Sequence, residues 1–202
     1  RIPTFDISGK KLIDTNGDGT LQNTENTAHE GVRIYIDSIA NGAYDVGEKF
    51  DITDSDGNWS ITGLDTTFTT KIVREDVSGN YVTTVGGSGL AITGTPGNNQ
   101  TTGLDFGNFL LGKISGTKTD DLDGIEGGTQ AAWKAEYGAV TIELVQNNVV
   151  IKTTTTDASG YYEFLNLLPG NYIVREVDPA GNGWINVSPL TVAVDGNASG
   201  FN

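Results

Sequence analysis

The chain has 202 residues, with 26 Asp and Glu against 12 Lys and Arg, a formal net charge of −14. Such a balance excludes a phosphate backbone or an anionic membrane as natural partner, because association would begin from repulsion. There is no cysteine, so disulfides and thiolate chemistry are excluded as well, while 28 Gly against 5 Pro fit short strands separated by many turns.

In chain order, the first element is FDISGKKLID at 5–14, which alternates as a strand does. DTNGDGTLQNTE follows at 14–25 with the spacing of a twelve-residue calcium loop of the EF-hand type. Calcium takes six to eight oxygens, and such a loop offers them from positions 1, 3, 5, 7, 9 and 12. Those positions are Asp14, Asn16, Asp18, the Thr20 carbonyl, Gln22 (through water) and Glu25, with Gly19 at the sharp sixth position. Neither flank carries a helical stripe, so the loop is expected to join two strands and to act as a staple. The alternative is an acidic surface turn without an ion.

A second window, DSIANGAYDVGE at 37–48, offers Asp37, Asn41, the Ala43 carbonyl, Asp45 and Glu48 around Gly42, while Ile39 at position three cannot ligate. Next, DITDSDGN at 51–58 reads as a β-turn whose Asp51, Asp54 and Asp56 are spare oxygens, Asp54 and Asp56 able to complete the second site.

The chain then repeats itself. FDISGKKLID matches GKISGTKTDD at 112–121, ITDSDGNWSITGLD at 52–65 matches TTDASGYYEFLNLL at 155–168, and TKIVREDVSGNY at 70–81 matches NYIVREVDPAGNGW at 171–184. Two copies of one domain are expected, 1–111 and 112–202, joined with almost no linker. Copy two replaces the second calcium window by the hairpin VQNNVV, and its DDLDGIEGG puts Ile125 in a ligand place, so no tight site is expected there. AAWKAEYG at 131–138 is the one candidate helical turn. About seven short strands per copy point to an all-β protein of two tandem immunoglobulin-like antiparallel sandwiches.

Laid out this way, both copies resemble the B-type repeats of bacterial surface adhesins, the Sdr-type (serine–aspartate-repeat protein) B domains and the related collagen-adhesin B (Cna-B-like) domains. The resemblance rests on ISG, DTNGDG, GVRIYID, NGAYDVGE, TDSDGNW and IVRE, and it covers nearly the whole chain. It implies a Cna-B/prealbumin-like sandwich used as a stalk module at the cell surface or cell wall, often calcium-bound, in some members cross-linked by Lys–Asn or Lys–Asp isopeptide bonds. Neighbouring repeats of the same chain are then the partners, and a host or matrix protein or glycan would be met through other domains.

Lys11 and Lys118 both stand two residues after ISG. Alternation puts Lys11 on the face of Ile7 and Ile13, which is the core face. A buried lysine needs a partner, and each copy offers a glutamate in IVRE, Glu75 or Glu176, and an acid or amide near its end, Asp105 or Asn202. The family pattern assigns Lys11–Asp105 with Glu75 and Lys118–Asn202 with Glu176 as isopeptide sets, Asn108 being a rival terminus in copy one. A lysine snorkelling out, or a plain salt bridge to the same glutamate, accounts for the residues equally well.

The single histidine, His29, is expected on an exposed loop, and no catalytic triad, phosphate-cradling loop or basic patch is present. The function expected is therefore a non-enzymatic, extracellular stalk module stiffened by Ca2+. A calcium-dependent carbohydrate- or protein-binding module is the alternative, with Trp133 as the exposed stacking candidate and Trp59 and Trp184 in the core. With no methionine at its start, the chain is expected to be a piece of a longer protein.

Overall fold

The computed structural model describes residues 3–96, 102–123, 129–132, 139–177 and 190–194. The protein is all-β, and the described residues contain no α-helix, only one 3-10 turn at Thr66–Phe68 capped by the Asp65 carboxylate. The chain divides into two compact units, Arg1–Leu110 and Leu111–Asn202.

The first unit contains β1 (Phe5–Ile13), β2 (Arg33–Asp37), β3 (Phe50–Ile52), β4 (Asn58–Leu64), β5 (Ile72–Asp76), β6 (Tyr81–Val85), β7 (Leu90–Ala91) and β8 (Phe106–Leu110). They form two sheets, β4-β1-β8-β6 and β3-β2-β5-β7. Alternating residues of both sheets, among them Ile7, Ile34, Ile36, Trp59, Ile61, Val73 and Phe106, close one core between them. The expectation of an antiparallel sandwich needs one correction: β1 and β8 run parallel, with Lys11 opposite Phe106 and Ile13 opposite Asn108. Alternation reports which face a residue takes but not the direction of the neighbouring strand. Here the last strand of the unit returns alongside the first. The ISG glycine also has a spatial cause, since a Cβ on Gly9 would lie 2.1 Å from the Leu104 carbonyl oxygen.

The second unit contains β9 (Gly112–Thr117), β10 (Thr119–Asp121), β11 (Gln130–Ala132), β12 (Thr141–Gln146), β13 (Val149–Thr155), β14 (Tyr161–Leu167), β15 (Gly170–Glu176) and β16 (Leu190–Val194). Its sheets are β13-β12-β15-β16 and β14-β9, with β10-β11 as a separate ribbon. Ile114, Ile142, Leu144, Phe164, Leu167, Tyr172 and Val174 form its core. The expected VQNNVV hairpin is present: Asn147 and Asn148 both have positive φ, 51° and 62°, as a two-residue turn between twisted strands requires. Of the candidate helical turn, residues 131 and 132 belong to β11, and the remainder lies outside the described residues.

Candidate functional site

The loop at 14–25 leaves the end of β1 and leads toward β2, so it joins strands. Its anchor is Asp14, fully buried, whose N–H donates to the Asn108 carbonyl at 2.9 Å. The Asp14 carboxylate accepts the Gly17 N–H at 2.7 Å on one oxygen and the Gly19 N–H at 3.0 Å on the other. Gly19 has φ +82°, the left-handed turn expected at position six. Glu25 closes the loop from the far end: Oε1 accepts from the Thr15 N–H (2.7 Å) and hydroxyl (2.9 Å), and Oε2 from the Gln22 N–H (3.0 Å). Burial pushes the Glu25 carboxyl up, but the Gln22, Thr15 and Asn16 N–H groups and the Thr15 hydroxyl outweigh it and hold the acid below its ordinary range. Asp18 accepts the Thr20 N–H at 2.9 Å and the Gln22 amide at 2.6 Å, and the Asn16 oxygen accepts the Asp18 N–H at 3.0 Å.

The second window repeats the closing bonds at its anchor and its far end. Asp37 accepts the Asn41 and Gly42 N–H groups (3.1 and 3.0 Å), and Gly42 has φ +80°. Glu48 accepts the Ser38 N–H at 2.6 Å and the Asp45 N–H at 3.1 Å. Asn41 accepts the Ala43 N–H at 3.0 Å and donates to Asp45 at 2.7 Å. Ile39, the misfit at position three, is 64% exposed.

Both loops thus have oxygen donors held in order by the backbone. A donor set of carboxylates, amide oxygens and a carbonyl, without nitrogen or sulfur ligands, fits a hard cation such as calcium. Among the described residues no three His, Cys, Asp or Glu side chains gather as a metal-binding group; the carboxylates are turned to N–H donors instead. Asp54 is occupied by its own turn, accepting the Asp56 and Asn58 N–H groups at 2.9 and 2.8 Å, and Asp51 accepts the Ser60 N–H at 2.7 Å. Asp157 caps the matching turn of the second unit. In DDLDGIEGG, Asp123 accepts the Thr129 N–H, and residues 124–128 lie outside the described residues.

Lys11 is fully buried, with Nζ 3.3 Å from Glu75 Oε2, itself 4% exposed, and a 3.3 Å hydrogen bond to the Leu12 carbonyl. Burial lowers the Lys11 pKa to about 8, against the opposing attraction of Glu75. Burial likewise raises Glu75, opposed by Lys11, Thr83 and Asn108 around it. The expected terminus Asp105 does not share this chamber. Its carboxylate accepts the Lys10 N–H at 2.7 Å, and it is only half-buried. Three residues on, Asn108 is fully buried on the Lys11 face of the parallel pair, next to Glu75, whose carboxyl its amide helps to hold down. Sequence order made Asp105 and Asn108 rival candidates; only the β1–β8 register separates them.

In the second unit Lys118 lies 3.3 Å from Glu176, but the two side chains are 23% and 14% exposed, and Lys118 also donates to the Thr119 carbonyl at 2.9 Å. Asn202 lies outside the described residues, as do Trp133 and Trp184. Trp59 is 2% exposed and tilted against Phe106, so it offers no stacking face. His29, expected on an exposed loop, is half-buried against the Tyr81 ring at 4.3 Å. An open cleft of about 580 Å³ lies on the outer face of β1 and β4, lined by Ser8, Lys10, Asp51, Asn58 and Asp105 among others.

Comparison with known proteins agrees with the resemblance drawn from the motifs. The SdrD B-like domain family matches residues 119–198. Serine-aspartate repeat-containing protein D of Staphylococcus aureus (strain Newman) is 29% identical over 194 residues, covering 90% of this chain and 14% of its own length. Serine-aspartate repeat-containing protein F of Staphylococcus epidermidis is 28% identical over 200 residues, covering 89% of this chain and 10% of its own. The chain therefore spans a small part of the curated relatives it matches. Among solved structures, a streptococcal ancillary pilin aligns over 95% of this chain and 58% of its own with a TM-score of 0.43 and 16% identity.

Proposed function

We propose that this chain is a pair of B-type repeats serving as a stalk or spacer of a cell-surface or cell-wall adhesin, with no activity on external substrates. The first repeat is stiffened by calcium and by one covalent cross-link. The observation that carries this reading is the buried cluster of Lys11 on the first strand of the unit, Asn108 on its last and Glu75 on β5 of the facing sheet, where a covalent bond would tie the two ends of one unit together.

Its chemistry follows from burial. With its pKa lowered to about 8, a useful fraction of the Lys11 amine is neutral and nucleophilic near physiological pH. Glu75, whose carboxyl the same burial raises above its ordinary value, polarises the Asn108 carbonyl and relays the proton. The Lys11 Nζ–Asn108 Cγ bond forms, the Asn108 C–N bond breaks, and the departing amide nitrogen takes the proton released by the amine and leaves as ammonia. Calcium, when bound, supplies positive charge to the carboxylates. Asp14, Asn16, Asp18, the Thr20 carbonyl, Gln22 and Glu25 would hold it in the first loop, and Asp37, Asn41, the Ala43 carbonyl, Asp45 and Glu48 in the second. Because the unfolded chain has no such arrangement, binding free energy becomes folding free energy.

Intact mass tests the cross-link. The expected value is the sequence mass less one ammonia, with a peptide joining Lys11 to Asn108 after digestion. An unaltered mass removes the covalent part, and loss of water instead would return the bond to Asp105.

A further inference from the structure

The two loops share their closing hydrogen bonds yet differ in what neutralises the first carboxylate. Asp14 is fully buried and has no cationic side chain against it among the described residues. Asp37 is 2% exposed, and Arg74 Nε stands 2.7 Å from its Oδ2. That oxygen also accepts the Gly42 N–H, while Oδ1 accepts the Asn41 N–H. A carboxylate oxygen has two lone pairs, so Oδ2 is filled and Oδ1 keeps one open direction. In Asp14 both oxygens keep one. Arg74 is itself fixed, donating through Nη1 to the Ser88 carbonyl at 3.0 Å, and Lys71 Nζ donates to the Ser38 carbonyl, at the loop's second position, at 2.6 Å.

The second unit serves as an internal control. Its matching arginine, Arg175, also in IVRE, lies directly opposite Glu143 in register and bonds it at 2.6 Å. Opposite Arg74 the register places Tyr35, and the guanidinium reaches to Asp37, two residues along β2. The strand supplies the arginine in both units; in the first, a loop carboxylate has taken it.

We propose that Arg74 is a resident cation of the second loop, which keeps that loop in its ligand-ordered shape without metal and weakens its calcium affinity relative to the first loop. The affinity part rests on reading both loops as calcium sites; the shape part stands without it. Without metal, the two loops then differ. The first confronts buried carboxylates with no counter-charge, whereas the second is already neutralised at its anchor.

Amide hydrogen exchange followed by NMR on the full chain in excess EDTA tests this. In the wild type the Ser38, Gly42 and Asp45 N–H groups should exchange about tenfold or more slower than Thr15, Gly19 and Gln22. Arg74→Gln should erase that difference, and Arg74→Lys, which retains charge but not the fork, should restore part of it. Equal exchange in the two wild-type loops, or protection unchanged in Arg74→Gln, overturns the shape part. Calorimetric calcium titration reads the other part: Arg74→Gln should tighten the weaker site by about tenfold, since one positive charge leaves its edge. An unchanged affinity overturns it. Absence of any calcium heat overturns the calcium reading and the affinity part together, while exchange in EDTA still decides the shape part.

Discussion

The two units place the same pair of side chains at the same point of the same motif and give it different surroundings. Lys11 and Lys118 each stand 3.3 Å from their glutamate, but Lys11 and Glu75 are 0% and 4% exposed where Lys118 and Glu176 are 23% and 14% exposed. Distance alone would call them equivalent. What separates them is desolvation, which lowers Lys11 to about 8 and raises Glu75, and so turns an ion pair into a candidate amine and acid. The lesson is that a motif supplies the groups and the enclosure sets their chemistry.

The strongest way to break the contrast is to remove the amide. A cross-link closing nearly the whole unit should contribute about 4–5 kcal/mol on the chain-entropy account. Asn108→Ala should therefore restore the full sequence mass and lower the melting temperature of the first unit by roughly 15–25 °C in calorimetry. The transition of the second unit should not move.

Chelation sharpens the comparison next. With calcium a thousandfold above its Kd, linkage contributes about 4 kcal/mol, so EDTA should lower the melting of the first unit and leave the second in place. Glu25→Gln should remove most of that response. A fall shared by both units would mean that the second has a metal site of its own.

The third test uses pH in the Asn108→Ala background, where Lys11 remains a free amine. Its folded pKa of about 8 lies below the ordinary 10.5, so between these values the unfolded chain binds more protons and stability rises with pH. The rise should be on the order of 3 kcal/mol in urea midpoints across that window. Glu75 works in the opposite sense. Its folded pKa is raised, so stability falls as pH climbs from the ordinary carboxylate range through the raised value. With the proposed cross-link in place, the wild type has no free Lys11 amine and the alkaline rise should be absent.

The smallest effect is expected in the second unit. Glu176→Gln should cost about 1 kcal/mol, because a partly exposed ion pair keeps some of its hydration and is partly screened. A cost of several kcal/mol, measured by denaturant unfolding, would show that Lys118 is enclosed in solution much as Lys11 is.

Much of this was written locally in the chain. The period-two pattern of FDISGKKLI put Lys11 on the core face, Asn147 and Asn148 specified a hairpin, and the spacing of Asp14, Gly19 and Glu25 specified a loop closed by its own backbone, all within a dozen residues. These features depend on the chain's geometry over one turn or one strand, which sequence order encodes directly. The tertiary structure alone decided that β8 lies parallel to β1, and hence that Asn108 and not Asp105 faces Lys11, because nothing in strand alternation records which distant strand becomes the neighbour or in which direction it runs. It also decided that Arg74 reaches Asp37: the arginine is legible in IVRE, but its partner depends on a register between β2 and β5 and on what stands two residues along from the residue opposite.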